Sequence, residues 1–317
     1  MSSSVAQFAS SVDLVYEVAN QVTNRQSLRN CCLVSKNFNT SFTPLLYSEV
    51  WFRPNNRRFL LEDLPLLLNH QALQFVRALD VAVEILPDDP WSWDGTSEQI
   101  EVRRLCNEGV QSLLYKMPML QIFRWAEMPP LTTTVSALQV QCPNIHSVVI
   151  HYHNHVEGCG LGHFEDLLEE GEDPKRPLKY RDAQNLFTIP SLSYFANLTR
   201  LEILRLHSDL NKARRGVLQI LLKLPHLESM SLSICADAIN RLEADRSTDH
   251  ILFLVSLIED FVQAGGKPLR LKKLILGLGV ALWRKGHSLR ALVDLTYLDE
   301  VMWKIGFGSL ILMMTLL

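Results

Sequence analysis

Cysteine is scarce: there are 6 in 317 residues, too few for a disulfide scaffold, so a reduced intracellular chain is expected. A dominant charge is lacking as well. The net charge is −3 and charged residues make up 21%, so no broad field draws the whole protein to nucleic acid or an anionic membrane. The basic pairs Arg57-Arg58, Arg103-Arg104, Arg214-Arg215 and Lys272-Lys273 are short and scattered, as solvated faces are. A long hydrophobic run is missing. The start, MSSSVAQFASSVD, has no basic region followed by an apolar stretch, so no signal peptide is read there. Ile305–Leu317, IGFGSLILMMTLL, is apolar throughout but falls short of the roughly 20 residues a spanning helix needs. It reads either as a terminal core element or as a point where the chain is cut short. The expected location is cytoplasmic, nuclear or both, with no membrane and no nucleic-acid partner. In such a compartment the sequons at Asn39 and Asn197 stay idle.

Catalytic signatures are equally thin. There is no GxSxG elbow, and Gly266-Lys267 lacks the upstream Gly and following Ser or Thr of a P-loop. Gly158-Cys159-Gly160-Leu161-Gly162 puts His163 where a dinucleotide loop needs its third Gly. His151, His153 and His155 alternate along one stretch, with Cys159 and His163 nearby, but no CxxC pair accompanies them. Cys31 and Cys32 lie in an apolar helical pattern, where cysteine is usually inert. No catalytic residue, metal or cofactor is therefore expected, and an enzyme is the weakest reading of the sequence.

What the chain does have is apolar patterning. Hydrophobic residues make up 47%, ordinary for a globular protein, and the length suits about one to three domains. Near the start, Leu14, Val15, Val18 and Val22 recur at helical steps. Turn residues interrupt at Asn24–Ser27. A second periodic stretch runs through Leu28, Cys31, Cys32 and Val34 to Phe38 and Phe42, and Pro44 then opens a short segment with Leu45, Leu46 and Tyr47. This predicts two or three short helices, too small a bundle for a large core of its own. Either these residues pack on the rest of the chain, or part of their surface docks helices of another protein.

Leu28-Arg29-Asn30-Cys31-Cys32-Leu33-Val34-Ser35-Lys36-Asn37-Phe38, preceded by Asp13 and the aliphatic Leu14, Val15 and Val18 and followed by Pro44-Leu45-Leu46-Tyr47, resembles an F-box. The family's Leu-Pro pair is missing: Ser10-Ser11 stand in its place. The resemblance implies a docking face for a Skp-family adaptor built from Leu14, Val18, Leu28, Cys32, Leu33, Val34, Phe38, Pro44, Leu45 and Tyr47.

The rest of the chain carries a recurring unit, L-x-x-L-x-x-L-x-L. Copies begin at Leu73, Met117, Cys142, Leu198 and Leu224. Two further copies are the shortened Leu271-x-x-Leu274-x-Leu276 and Leu295-x-x-Leu298-x-x-Val301-x-Trp303. Several intervals fall within the range of about 20–29 residues of leucine-rich repeats, and the longer ones hold a degenerate copy or an insertion. Helical patterns lie between copies: Val110, Leu113, Leu114 and Met117; Val217, Ile220, Leu221 and Leu224; and Ile251 to Val262. The last has Ser247 or Asp249 as N-cap candidates and Gly265-Gly266 as its stop. Strands separated by crossover helices lie parallel. The expected fold class is α/β: a short helical F-box-like module at 10–50, a helical linker at 51–72, and an irregular leucine-rich-repeat-like solenoid at 73–304. In that arc strands lie inside and helices outside, neighbours sharing one core. The acidic, Gly- and Pro-bearing stretch 158–190 reads as a loop insertion, and 305–317 as an apolar tail. Trp91 and Trp93, in an acidic turn, are weak candidates for substrate contact.

With Leu113-Leu114 through Trp125, the resemblance extends to fungal F-box proteins with degenerate leucine-rich repeats. It implies a non-catalytic substrate receptor of a ubiquitin ligase. The adaptor bridges to a cullin–RING ligase, and the repeat arc holds an unknown protein substrate. The competing expectation is a repeat scaffold for protein–protein interaction whose N-terminal helices only cap the array.

Overall fold

A computed structural model of the chain describes residues 11–54, 58–82, 97–127, 130–152, 189–206, 210–234, 249–277, 289–305 and 310–314. The N-terminal patterning resolves into three helices, α1 (Val12–Gln21), α2 (Arg25–Cys32) and α3 (Lys36–Leu46). The second periodic stretch breaks in two because Ser35 caps a new helix: its Oγ accepts from the Phe38 N–H at 3.3 Å. Asn24 does the same for α2, its Oδ1 accepting from the Ser27 N–H at 3.0 Å. Pro44 does not open a new segment. It sits inside α3 near its end, where the one bond it removes lies in the last turns and its fixed φ suits the helix.

The rest is built on one sheet. Strands β1 (Glu49–Phe52), β2 (Ala78–Ala82), β3 (Ile122–Glu127), β4 (Ser147–Tyr152), β5 (Arg200–Leu206), β6 (Ser229–Ile234), β7 (Lys273–Leu276) and β8 (Glu300–Ile305) lie side by side in chain order, each parallel to the last. β9 (Leu310–Met314) returns antiparallel along β8, so part of the apolar tail is a strand. Helices α4 (Leu64–Leu68), α5 (Ser97–Leu114), α6 (Thr132–Gln141), α7 (Leu210–Lys223) and α8 (Asp249–Gln263) occupy the crossovers.

Two register rows explain why strands form where L-x-L recurs. Leu79, Phe123, Val148, Leu201, Met230, Leu274 and Val301 pair in one row; Phe52, Val81, Trp125, Ile150, Ile203, Leu232 and Leu276 pair in the next but one. All are buried in one continuous core with apolar residues of α5, α6, α7 and α8, among them Val110, Leu138, Val217 and Leu254. Successive side chains of a strand point to opposite faces, so the alternate row faces away from these helices.

The preceding L-x-x-L is a tight turn, its fourth N–H bonding the first carbonyl. This occurs at Val76 to Leu73, Leu120 to Met117, Ile145 to Cys142, Leu227 to Leu224 and Leu298 to Leu295. Three-residue spacing is that of a 3₁₀ turn, so both apolar residues face the core. From each turn one carbonyl accepts two N–H groups of the next strand's entry: Ser48 from Arg77 and Ala78, Arg77 from Gln121 and Ile122, and onward through Gln121, His146, Thr199, Glu228 and Lys272.

This chain of bonds corrects one register. The copy begun at Leu198 is a step late: Leu201 and Ile203, not Leu204 and Leu206, align with Val148 and Ile150. The unit starts at Phe195, and the Asn197 amide donates to the Pro143 carbonyl at 3.1 Å, locking it. The ladder also shifts between Ile203 and Leu206, so the last residues of the copy leave the regular pattern. The expected helical linker at 51–72 is likewise corrected at its start, since Trp51 and Phe52 belong to β1. A single π-helical turn, Phe59–Asp63, and α4 follow.

The Gly265-Gly266 stop behaves as read. The Gly265 N–H donates to the Val262 carbonyl and the Gly266 N–H to the Phe261 carbonyl, the paired bonds of a Schellman cap. Gly265 has φ +75, which a side chain resists.

Candidate functional site

Two surfaces among the described residues carry exposed side chains of note. Among the described residues no group of three or more His, Cys, Asp or Glu is placed to hold a metal. His151 lies half-buried on β4, while His153, His155, Cys159 and His163 lie outside the described residues. So do the Gly158–Gly162 stretch, most of the insertion, and Trp91 and Trp93. Burial pushes the thiols of Cys106 and Cys142 up to about 12, which makes them inert at neutral pH.

The first surface is on the helical bundle. Val15, Ala19, Leu28 and Phe42 form its interior, a cluster separate from the core of the sheet. The Phe38 and Phe42 rings stack at 5.5 Å, and the Asn39 amide donates to the Cys32 carbonyl at 3.1 Å, holding α2 against α3. With this interior filled, the bundle still presents large apolar side chains to water. Leu14 is 52% exposed and Val18 42% on α1, and Leu33 is 79% and Val34 66% exposed at the α2–α3 turn. Tyr16 is exposed beside them. Each Leu or Val left in water forgoes about 1.5–3 kcal/mol of burial.

The ten residues expected on this face divide. Leu14, Val18, Leu33 and Val34 are exposed. Cys32, Phe38 and Leu45 are half-buried against the small core, and Pro44 is half-buried on α3. Tyr47 is half-buried with its ring 5.2 Å from that of His70, at the join to the sheet. Leu28 is the correction: at 6% exposure it belongs to the interior and offers nothing to a partner. In so short a helix the apolar period does not tell the inside from the outside.

The second surface is the sheet face turned away from the helices. All-parallel sheets are commonly covered on both sides; here the alternate face carries partly exposed charges on β1 to β5, while Ser231 and Ile275 on it are buried. Its residues carry a charge network that sequence reading missed. Arg124 Nη1 donates to Asp80 Oδ2 at 2.7 Å and to Glu49 Oε1 at 3.3 Å, spanning three strands. Arg200 Nε bonds Glu202 Oε1 at 2.8 Å, and Lys273 pairs with Glu300 at 2.7 Å. Trp51, 59% exposed on the edge strand, has the Arg53 guanidinium 4.6 Å from its ring centroid. Exposed pairs of this kind contribute only about 0–1 kcal/mol each, so they add little to stability. The alternation Val50-x-Phe52 was the one available signal for β1 and hence for Trp51.

Asp80 shows how crowded this face is. Burial raises its pKa above the usual carboxylate value, Arg124 partly opposes that, and the neighbouring Glu49 adds to it. A carboxyl that holds its proton more tightly folded than unfolded costs stability once ionised. The loss therefore grows as pH rises from the unfolded value through the native one, and it is recovered on acidification. Asp80→Asn, which keeps an acceptor for Arg124, is expected to gain stability over the parent in urea melts as pH is raised from acid to neutral. A gap that moves the other way would mean that the Arg124 attraction outweighs burial.

No helix among the described residues is long and apolar enough to cross a membrane. No protein-family model and no curated protein matches the chain. The molecule is an α/β protein with one predominantly parallel sheet and a three-helix bundle at its head.

Proposed function

We propose that the chain is the substrate-recognition subunit of a Skp–cullin–F-box type ubiquitin ligase. The α1–α3 bundle docks the Skp-family adaptor, and the open face of a leucine-rich-repeat-like solenoid holds a protein substrate. The observation that carries this reading is that Leu14, Val18, Leu33 and Val34 are exposed on a bundle whose interior is already filled. These are four of the residues the F-box-like motif nominates. The strand-to-strand carbonyl bonding and the buried L-x-L rows support the solenoid reading, since stacked units of this kind share one core. The protein supplies no chemistry of its own. It raises the effective concentration of substrate lysines near a charged ubiquitin carrier.

The test is affinity purification of the tagged chain with the proteasome blocked. Recovery of a Skp-family adaptor and a cullin is expected, and their absence would remove the ligase reading.

One observation favours a second reading, a scaffold capped by the bundle. α3 packs on the 3₁₀ helix Gln71–Phe75, so the bundle adjoins the β1 end of the sheet, where a solenoid needs a cap. Deleting residues 1–47, which spares β1, separates the two. A docking module leaves a folded sheet behind; a cap does not.

A further inference from the structure

We propose that the turn edge of the sheet between β6, β7 and β8 binds an acidic segment of a partner protein. A groove of about 1390 Å³ opens there, between the turns that lead into these three strands. It exceeds the roughly 300–1,000 Å³ of small-molecule pockets, so its size suits a length of chain. Its wall is set by backbone bonds: the Leu269 N–H donates to the Leu292 carbonyl at 2.8 Å and the Asp294 N–H to the Leu269 carbonyl at 2.9 Å. Leu269 and Val293 form a parallel bridge outside the named strands. The groove therefore exists before any partner arrives, which lowers the ordering cost of binding.

Charge decides what fits. Lys267, Arg270 and Arg290 line the groove. Against these three cations stand two lining acids, Asp294 and Asp299, on a chain whose overall charge is −3. At the neighbouring turns the charges are already engaged: Lys272 pairs with Glu228 at 3.0 Å, and the Lys223 ammonium sits over the Tyr194 ring. Asp294 turns into its own loop, Oδ1 accepting from the Thr296 hydroxyl at 2.7 Å and the Thr296 N–H at 3.1 Å. Lys267 is exposed and makes no ion pair among the described residues. Arg270 lies 4.8 Å from the Tyr297 ring centroid, an aromatic support for its guanidinium, and is close enough to attract the Asp294 carboxylate. Tyr297 is exposed between the lining residues Thr296 and Leu298, adding apolar contact to the cationic field. A segment of carboxylates interspersed with apolar residues satisfies both.

The proposal does not rest on adaptor docking, which concerns the opposite end of the chain. The test uses the full chain and a fluorescein-labelled peptide of alternating Glu and Leu, with a Lys–Leu peptide as control, read by fluorescence anisotropy. The acidic peptide is expected to bind and to be released as salt is raised. Lys267→Glu with Arg270→Glu is expected to weaken it at least about tenfold, with an unchanged thermal melt because both side chains are exposed. Lys267→Gln alone gives a smaller loss and serves as the milder variant. Leu33→Asp leaves the affinity untouched. Absence of binding, equal binding of the Lys–Leu peptide, or a charge-reversed variant that binds like the parent would overturn the proposal. So would stronger capture of a single-stranded oligonucleotide or of phosphatidylserine vesicles.

Discussion

Leu33→Asp and Val34→Asp are each expected to remove adaptor binding while leaving the melting temperature of the chain unchanged. Both side chains stand in water at the α2–α3 turn, so a polar replacement loses no native packing, and exposed substitutions of this sort shift stability by no more than about 0.5 kcal/mol. In a docked complex the same positions become buried. The variant then forgoes about 1.5–3 kcal/mol of apolar burial at that residue and also drives a carboxylate into an apolar contact. Together these weaken binding by at least about thirtyfold. Immobilised adaptor and purified variants give the affinity, and a thermal scan gives the stability. Adaptor binding that survives both substitutions removes the docking face from this turn. A collapse of stability would instead mean that the turn packs against the chain's own surface.

Phe42→Ala carries the largest expected effect on folding. Phe42 is one of four buried apolar residues in the bundle interior, alongside Val15, Ala19 and Leu28, and its ring stacks on Phe38. Truncating a buried Phe costs about 3–5 kcal/mol, and so small an interior holds little in reserve. The bundle is therefore expected to open while the sheet, whose core is a separate cluster, stays folded. Amide exchange reads the two parts independently. Residues of α1, α2 and α3 are expected to lose protection, β3 to β7 to keep it, and adaptor binding to fall with the bundle. Loss of protection across the sheet as well would show that the bundle is an integral cap, the scaffold reading.

Much of the sheet was legible because burial leaves a period in the sequence. The pairs Leu79/Val81, Phe123/Trp125, Val148/Ile150, Met230/Leu232 and Leu274/Leu276 alternate as strands do, and all of them lie in the core. The fourth copy was misread because Leu198, Leu201 and Leu204 satisfy the same spacing as Phe195, Leu198 and Leu201. The choice between them is made by the Asn197 bond to the Pro143 carbonyl and by strand register, neither of which has a period. β1 has only Val50 and Phe52 to mark it. The bundle's helices were legible, but Leu28 and Leu33 carry the same side chain at neighbouring turns, and only packing puts one inside and the other out. The network of Glu49, Asp80 and Arg124 joins residues brought together by parallel stacking, a relation with no local trace in the chain. The groove at the turn edge arises the same way, from three successive turns laid side by side.

Hydrogen exchange of the full chain with and without a purified Skp-family adaptor tests the central claim most directly. The account predicts new protection confined to α1 and to the segment from α2 into α3 across Leu33 and Val34, with the sheet unchanged. Protection that falls only on the strands, or no change at all under saturating adaptor, would contradict it.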